Sequence, residues 1–518
     1  MIKSFRDLGS IGVIYDTDPR NIPDNAWTSI RNVRFIDNAV EKSKGESSVY
    51  TTPAIDPQWL LPVQTDSSYY WVYPSLTKCY VTDGTTNTNI TRQTSSVDVD
   101  YSATADIGWN GGAIGGVPII NNGVDDPQMW TPIGTSTKLQ SLTWSSGTTW
   151  SSESKVARVI RPFKQFLVAL DITSGGTRSR QEIRWSHPAD SGTVPSTWDE
   201  TDTTKDAGQH FLDENGGSLI DCLPLGDTNI IYKDSQTIGM QHIGGQYVFR
   251  FYNIFEESGL LTRRCAKPFY GKHFCVTNGD VITHDGNSID PVFNHKTRDW
   301  LFGAIDSDNY ERTFVSPNYQ KDEMWVCFPE SGADFATLAL VWNYRDNTTT
   351  VRELPTVKHI GYGLVDPAGA ANWDADSVAW DLDTEQWGET DYSPTVIKNL
   401  FAGSTKFYLG DDTEQSDGTN ITATAERVGL DFDEPNLVKY VKRIWPRIET
   451  TGDITFSVGQ QMERSDAITW TDYTFSSGDS KIDCDVSGRF IAIKISSNTD
   501  VSWSLKEYDV DYELRGQF

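Results

Sequence analysis

Apolar and polar residues alternate with a period of two along most of the chain, in short runs closed by Asn, Asp or Gly. Ser68-Tyr69-Tyr70-Trp71-Val72-Tyr73 and Phe166-Leu167-Val168-Ala169-Leu170-Asp171 are such runs. Others end on hairpin signals: Lys78-Cys79-Tyr80-Val81-Thr82 precedes Asp83-Gly84, and Phe274-Cys275-Val276-Thr277 precedes Asn278-Gly279, where the dipeptide supplies the positive φ of a tight turn. Helical periodicity is nearly absent, so the pattern predicts an all-β protein.

The runs gather into modules of strand, turn and strand with an aromatic near the end, over 59–91, 117–130, 156–198, 219–251, 273–293, 312–329, 339–354 and 400–411. Antiparallel units of this size, with aromatics and turn glycines at similar places, predict a β-propeller-like body; a stacked pair of sandwiches is the competing architecture. The spacing meets a blade period of about 40–45 residues only roughly. From Glu426 to Phe518 the chain changes character to a run of alternating strands, as in Ile454-Thr455-Phe456-Ser457-Val458-Gly459 and Phe490-Ile491-Ala492-Ile493-Lys494-Ile495, which predicts a separate β-sandwich. The polar stretch 411–420 has the composition of a linker. Residues 1–50 carry Pro19 and Pro23 in an Asp- and Asn-rich stretch that resists regular pairing. They read as an extended arm laid on a neighbour or on the chain's own propeller. The expected organisation is therefore an arm over 1–50, a propeller-like body over 51–419 and a sandwich over 420–518.

Charge changes the picture next. The 518 residues hold 44 Lys+Arg against 72 Asp+Glu, a formal net charge of -28, which disfavours a sequence-reading nucleic-acid binder. No stretch approaches the roughly 20 apolar residues of a spanning helix, and Met1 to Asp7 lacks the apolar core of a signal peptide. The chain reads as made and folded in a cytoplasm. Its six cysteines, Cys79, Cys222, Cys265, Cys275, Cys327 and Cys484, follow no metal-ligand spacing and are expected to be small buried hydrophobes.

Candidate chemistry is sparse. The segment 373–391 holds Asp374, Asp376, Asp381, Trp373, Trp380 and Trp387 and no Lys or Arg. It reads first as a solvated acidic loop with its tryptophans tucked inward, then as a carboxylate pair for glycan cleavage, or as an acidic lining past which a polyanion slides. Asp306-Ser307-Asp308-Asn309-Tyr310-Glu311 and His284-Asp285-Gly286-Asn287-Ser288-Ile289-Asp290 approach calcium-loop spacing, but Glu311 stands where the first needs glycine, neither has the closing glutamate, and turn capping explains both. The histidines 187, 210, 242, 273, 284, 295 and 359 accompany no nucleophile elbow, zinc helix or phosphate loop. Tryptophans 109, 130, 185, 198, 325, 342, 445, 470 and 503 sit near strand ends and read as core rather than as sugar platforms. Neither a metal nor a cofactor is expected, and no enzyme.

Several segments, taken in order, resemble the tail nozzle and packaged-DNA stabilisation proteins of short-tailed bacteriophages. They are Ile22-Pro23-Asp24-Asn25-Ala26-Trp27 with Arg31-Asn32-Val33-Arg34-Phe35; 121–130; Arg184-Trp185-Ser186-His187-Pro188; Leu223-Pro224-Leu225-Gly226-Asp227 with Gly244-Gly245-Gln246-Tyr247; Val341-Trp342-Asn343-Tyr344-Arg345-Asp346; and Lys442-Arg443-Ile444-Trp445-Pro446-Arg447. None is catalytic, so the likeness rests on number and order. It implies a virion protein assembled in the host bacterial cytoplasm, several copies of which, six by the resemblance, form a ring below the portal and adaptor. Such a ring would contact the adaptor or portal-side protein above and fibre or needle proteins beneath, and would retain the genome and pass double-stranded DNA without reading it. The arm would clasp the next subunit through Pro19, Pro23, Trp27, Arg31 and Arg34. Two alternatives stand beside this: a receptor- or glycan-binding tail module, and a tail glycan hydrolase.

Overall fold

The computed structural model describes residues 1–65, 68–213, 216–245, 247–294, 296–365 and 396–517. The period-two runs become antiparallel strands, and where four of them follow one another through tight turns they make a blade. Blade 1 holds Leu61–Gln64, Tyr69–Pro74, Cys79–Thr82 and Asn87–Asn89 in sequence order. Its Asp83-Gly84 turn behaves as the sequence predicts: Gly84 takes a φ of 98°, and the Asp83 carboxylate accepts hydrogen bonds from the backbone N–H groups of Thr85 and Thr86. Blades 2 to 5 repeat the plan over 110–141, 155–211, 219–256 and 266–291.

The next sheet has seven strands because two blades share one of them. The strand Thr348–Val365 turns at Thr356, whose φ is 48°; its first part pairs with Ala336–Asn343 and its second with Val396–Gly403. Blade 6 is thus 314–354, and the modules read separately at 312–329 and 339–354 are one sheet. Blade 7 takes the rest of the shared strand, Val396–Gly403, Phe407–Leu409 and, from the far end of the sequence, Ser47–Val49.

Apolar clusters between blades close the circle. Trp59, Val72, Ile120 and Trp130 join blades 1 and 2; Ile119, Ile160 and Trp198 join 2 and 3; Val168, Cys222 and Ile231 join 3 and 4. Tyr232, Phe274 and Val326 run through 4, 5 and 6, Trp325, Ile360 and Phe401 join 6 and 7, and Leu400, Phe407 and Trp71 bring blade 7 against blade 1. Among the described residues the body is therefore a closed β-propeller-like ring of seven blades. The first strand of each blade lies innermost, and from blade 2 round to blade 1 these inner strands touch in succession.

Two further sheets form the sandwich. One contains Leu437–Thr450, Ile482–Gly488 and Trp503–Gln517, the other Ala423–Leu430, Ile454–Gln461, Thr469–Phe475 and Phe490–Ser497. The N-terminal arm is extended and is taken up by its own chain. Ile2–Phe5, Val33–Ile36 and Ala39–Lys42 join the first sheet, and Ser29–Arg31 joins the second. Phe5, Leu8, Val13, Trp27, Ile30 and Phe35 enter the sandwich core beside Phe456, Ile493 and Tyr508. The arm also grips the body: the Asp16 carboxylate accepts the backbone N–H groups of Asp299 and Trp300 at 2.9 and 3.0 Å, at the start of the helix Arg298–Ala304. The Tyr15 ring stacks on Trp300.

Candidate functional site

The five arm residues assigned to a subunit contact fall in different environments. Trp27 is 1% exposed, and its indole N–H donates to the Leu8 carbonyl at 2.9 Å. Arg34 is also buried. Its Nε donates to Glu323 at 2.6 Å and its Nη2 to Asp411 at 2.9 Å. Both side chains are thus committed to partners inside their own chain. Pro19 is half-buried, with its carbonyl accepting from Arg427 at 2.8 Å, and Pro23 is exposed. Arg31 stays partly exposed, 3.7 Å from Glu353 and 3.9 Å from Glu330.

Arg34 belongs to a network that sequence could not assemble. Arg352 of blade 6 donates to Asp411 at 2.6 Å and to Glu46 of the arm at 2.5 Å, while the Trp325 indole donates to Glu323 at 2.9 Å. Burial alone would push the Asp411 carboxyl up, but Arg34 and Arg352 outweigh it and hold it well below the usual carboxylate range. Burial likewise opposes charge on Arg34 and Arg352, and their carboxylate neighbours reverse it, so both are raised. The network ties the arm, blade 6 and the turn after blade 7 together beside a cleft of about 640 Å³ that Lys42, Glu41, Glu414 and Trp503 also line.

A second concavity opens where the inner strands of blades 3 to 6 begin. It encloses about 380 Å³ between Arg158, Arg178, Arg180, Arg263, Asp171 and Glu311. Arg178 grips Asp171 with both nitrogens of its fork, one at 2.7 Å. Arg263 donates to the carbonyls of Ile107 and Asp106 at 3.1 and 3.2 Å. Burial, reinforced by neighbouring arginines, lowers the pKa of Arg158 and Arg263. The sequence did not group these residues: Arg158, Asp171, Arg178 and Arg180 lie on blade 3, whereas Arg263 and Glu311 stand just before blades 5 and 6. The one local signal is Arg263-Arg264, a charged pair set between Leu260-Leu261 and Cys265-Ala266.

The other candidates resolve as structure. Asp306 accepts the N–H groups of Asp308 and Asn309, and Asp285 those of Asn287 and Ser288, which is turn capping. All six cysteines are buried and free. Trp109, Trp130, Trp185, Trp198, Trp325, Trp342 and Trp503 are buried, whereas Trp445 and Trp470 are half-buried under Arg443 and Lys494. His273 and His284 both hydrogen-bond the Tyr232 hydroxyl, at 2.6 and 2.7 Å. His295 and the segment with Trp373, Asp374, Asp376, Trp380, Asp381 and Trp387 lie outside the described residues. No described helix is long and apolar enough to cross a membrane.

An all-β, propeller-like chain with a sandwich is the class that fold and site define. No family model matches the chain, and no curated protein matches it. Among solved structures it is similar to an exo-β-1,3-galactanase from Phanerochaete chrysosporium, at 8% identity and a TM-score of 0.28 over 91% of this chain and 100% of that one. It is similar also to the AfRom2 CNH domain, at 6% and 0.35 over 71% and 97%. PorZ of Porphyromonas gingivalis follows at 9% and 0.28 over 86% and 50%. The expectation that the chain is no enzyme is corrected here, because glycoside hydrolases stand among these all-β likenesses. The physical reason is that a propeller gathers reacting groups from separate blades, so a missing contiguous motif excludes nothing. At these TM-scores the likeness assigns no activity either.

Proposed function

We propose that this chain is a structural component of a short-tailed phage tail, one subunit of a nozzle ring around the DNA exit channel below the portal and adaptor. The observation that carries the reading is the ordered series of resembling segments across the chain, from Ile22-Pro23 to Pro446-Arg447. The net charge of -28 supports it, because copies arranged in a ring would present an acidic lining that conducts DNA without gripping it. The exposed Pro23 and partly exposed Arg31 supply the arm surface left for a neighbouring copy. The test is native mass spectrometry of the purified chain, alone and with its adaptor. A discrete ring on the adaptor, about six copies, is the expected result. A persistent monomer in both samples would sink the reading.

A second reading, a glycan-binding or glycan-cleaving propeller, is favoured by the concavity of about 380 Å³, a size suited to a small ligand and lined by Asp171 and Glu311. Asp171 is committed to Arg178, while Glu311 is exposed. Glycan-array binding or oligosaccharide turnover that Glu311→Gln abolishes would establish it, and a blank array with no turnover would remove it.

A further inference from the structure

Beneath that concavity, the inner strands carry more positive than negative charge. Arg161 of blade 3 holds Asp221 of blade 4 through two hydrogen bonds of 2.8 Å, and its third nitrogen donates to the Gly111 carbonyl of blade 2 at 3.0 Å. Asp221 also accepts the backbone N–H of Arg264 at 3.2 Å. That carboxylate is therefore fully used. The Arg264 guanidinium, on a residue 8% exposed, lies against Gly108, so close that a Cβ there would stand 3.2 Å from its Nη2. It makes no side-chain hydrogen bond or ion pair with the described residues, and neither does the ammonium of Lys267, on the inner strand of blade 5. His359, on the inner strand of blade 7, is 5% exposed between Trp59 and Phe314, and its Nδ1 has no partner.

Among the described residues, Asp221 neutralises Arg161 and leaves the buried Arg264 and the half-buried Lys267 without a counter-charge. Uncompensated charges in a protein interior are expensive, and the ordinary remedy is an opposite charge within a few ångströms. We propose that the axis of the propeller is a binding site for one small oxyanion, held between the Arg264 guanidinium and the Lys267 ammonium, with His359 offering a neutral hydrogen-bond partner. The fork of an arginine matches two oxygens of a phosphate, sulfate or carboxylate, and a lysine adds a point charge. The states of the groups agree. Burial lowers the Lys267 ammonium to about 8, with Arg161 and Arg264 adding to the shift against Asp221. Burial and then Arg263 bring Arg264 to about 10. Burial, followed by repulsion from Arg264, Lys267 and Arg161, keeps His359 well below its usual range. An anion seated there would raise all three. The site is independent of the tail reading, and neither needs the other.

The experiment is calorimetric titration of the full chain with inorganic phosphate, sulfate or acetate at constant ionic strength in chloride. Saturable binding at one site per chain is expected, and the ranking of the three anions separates a phosphate or sulfate site from a carboxylate site. Lys267→Met should weaken binding about tenfold or more, and Lys267→Arg should restore most of it. Unchanged affinity in Lys267→Met, or no saturable binding of any of the three to the wild type, would overturn the proposal. A crystal soaked in bromide gives a check that needs no variant: an anomalous peak between Arg264 and Lys267 supports the site, and peaks only elsewhere count against it.

Discussion

Two buried charge clusters in this molecule are built from the same residue types and behave in opposite ways. At the junction, Arg34 and Arg352 meet Glu46, Glu323 and Asp411, so every buried cation faces carboxylates, the arginine pKa values rise and that of Asp411 falls. On the axis, Arg161, Arg264 and Lys267 share Asp221, and the two cations left over are pushed down. Burial is common to both, so the balance of partners decides the sign. The first cluster is complete and holds elements together. The second has unfilled capacity for negative charge.

The comparison breaks first at Arg34. Arg34→Ala leaves Glu323 and Asp411 buried with less compensation and should cost about 3–5 kcal/mol, read from urea unfolding midpoints. Trp27→Phe tests the apolar side of the same arm. It strands the Leu8 carbonyl and opens a small void, and about 1–3 kcal/mol should be lost in the same assay.

Acid sharpens the contrast. The folded pKa of Asp411 lies below its unfolded value, so its contribution is fully present above about pH 4 and is lost as pH falls through the folded pKa. Unfolding midpoints followed downward from pH 5 should fall, and less steeply in Asp411→Asn.

Lys267→Met should give the smallest change and the opposite sign, with stability at pH 7 unchanged or raised in buffer free of oxyanions. A lysine whose folded pKa is lowered to about 8 destabilises the fold below that pH and ceases to do so as pH rises to its unfolded value. The difference between variant and wild type should therefore close between pH 8 and about 10.4. A variant less stable than the wild type by the amount seen for Arg34→Ala would erase the distinction between the clusters.

Much of the fold was legible because alternation and turn chemistry are local. Cys79–Thr82 and Asn87–Asn89 pair across the Asp83-Gly84 turn as the pattern predicts, and the strand-end tryptophans close spaces between blades. What could not be read was partnership over distance. The prolines at 19 and 23 mark an irregular arm, but nothing local says that Ile30 will lie opposite Ala425. The run 348–365 reads as a single β segment, and only the φ of 48° at Thr356 divides it between two blades. The charge clusters were hidden for the same reason. Arg161, Asp221, Lys267 and His359 come from four blades, and a net charge of -28 averages away a local surplus of positive charge.

The pairing of Ile2 with Asp511, and of Ser47–Val49 with Phe407–Leu409, sets the schedule on which the protein is made. At about 5–20 residues per second, a ribosome takes roughly 25–100 s to reach the last strand after the first has emerged. Until its partners are made the opening segment waits: the ring can close only after Phe407–Leu409, and the sandwich only after Trp503–Gln517. Synthesis of the distant partner strand, rather than of any one blade, is then the event that lets each part lock.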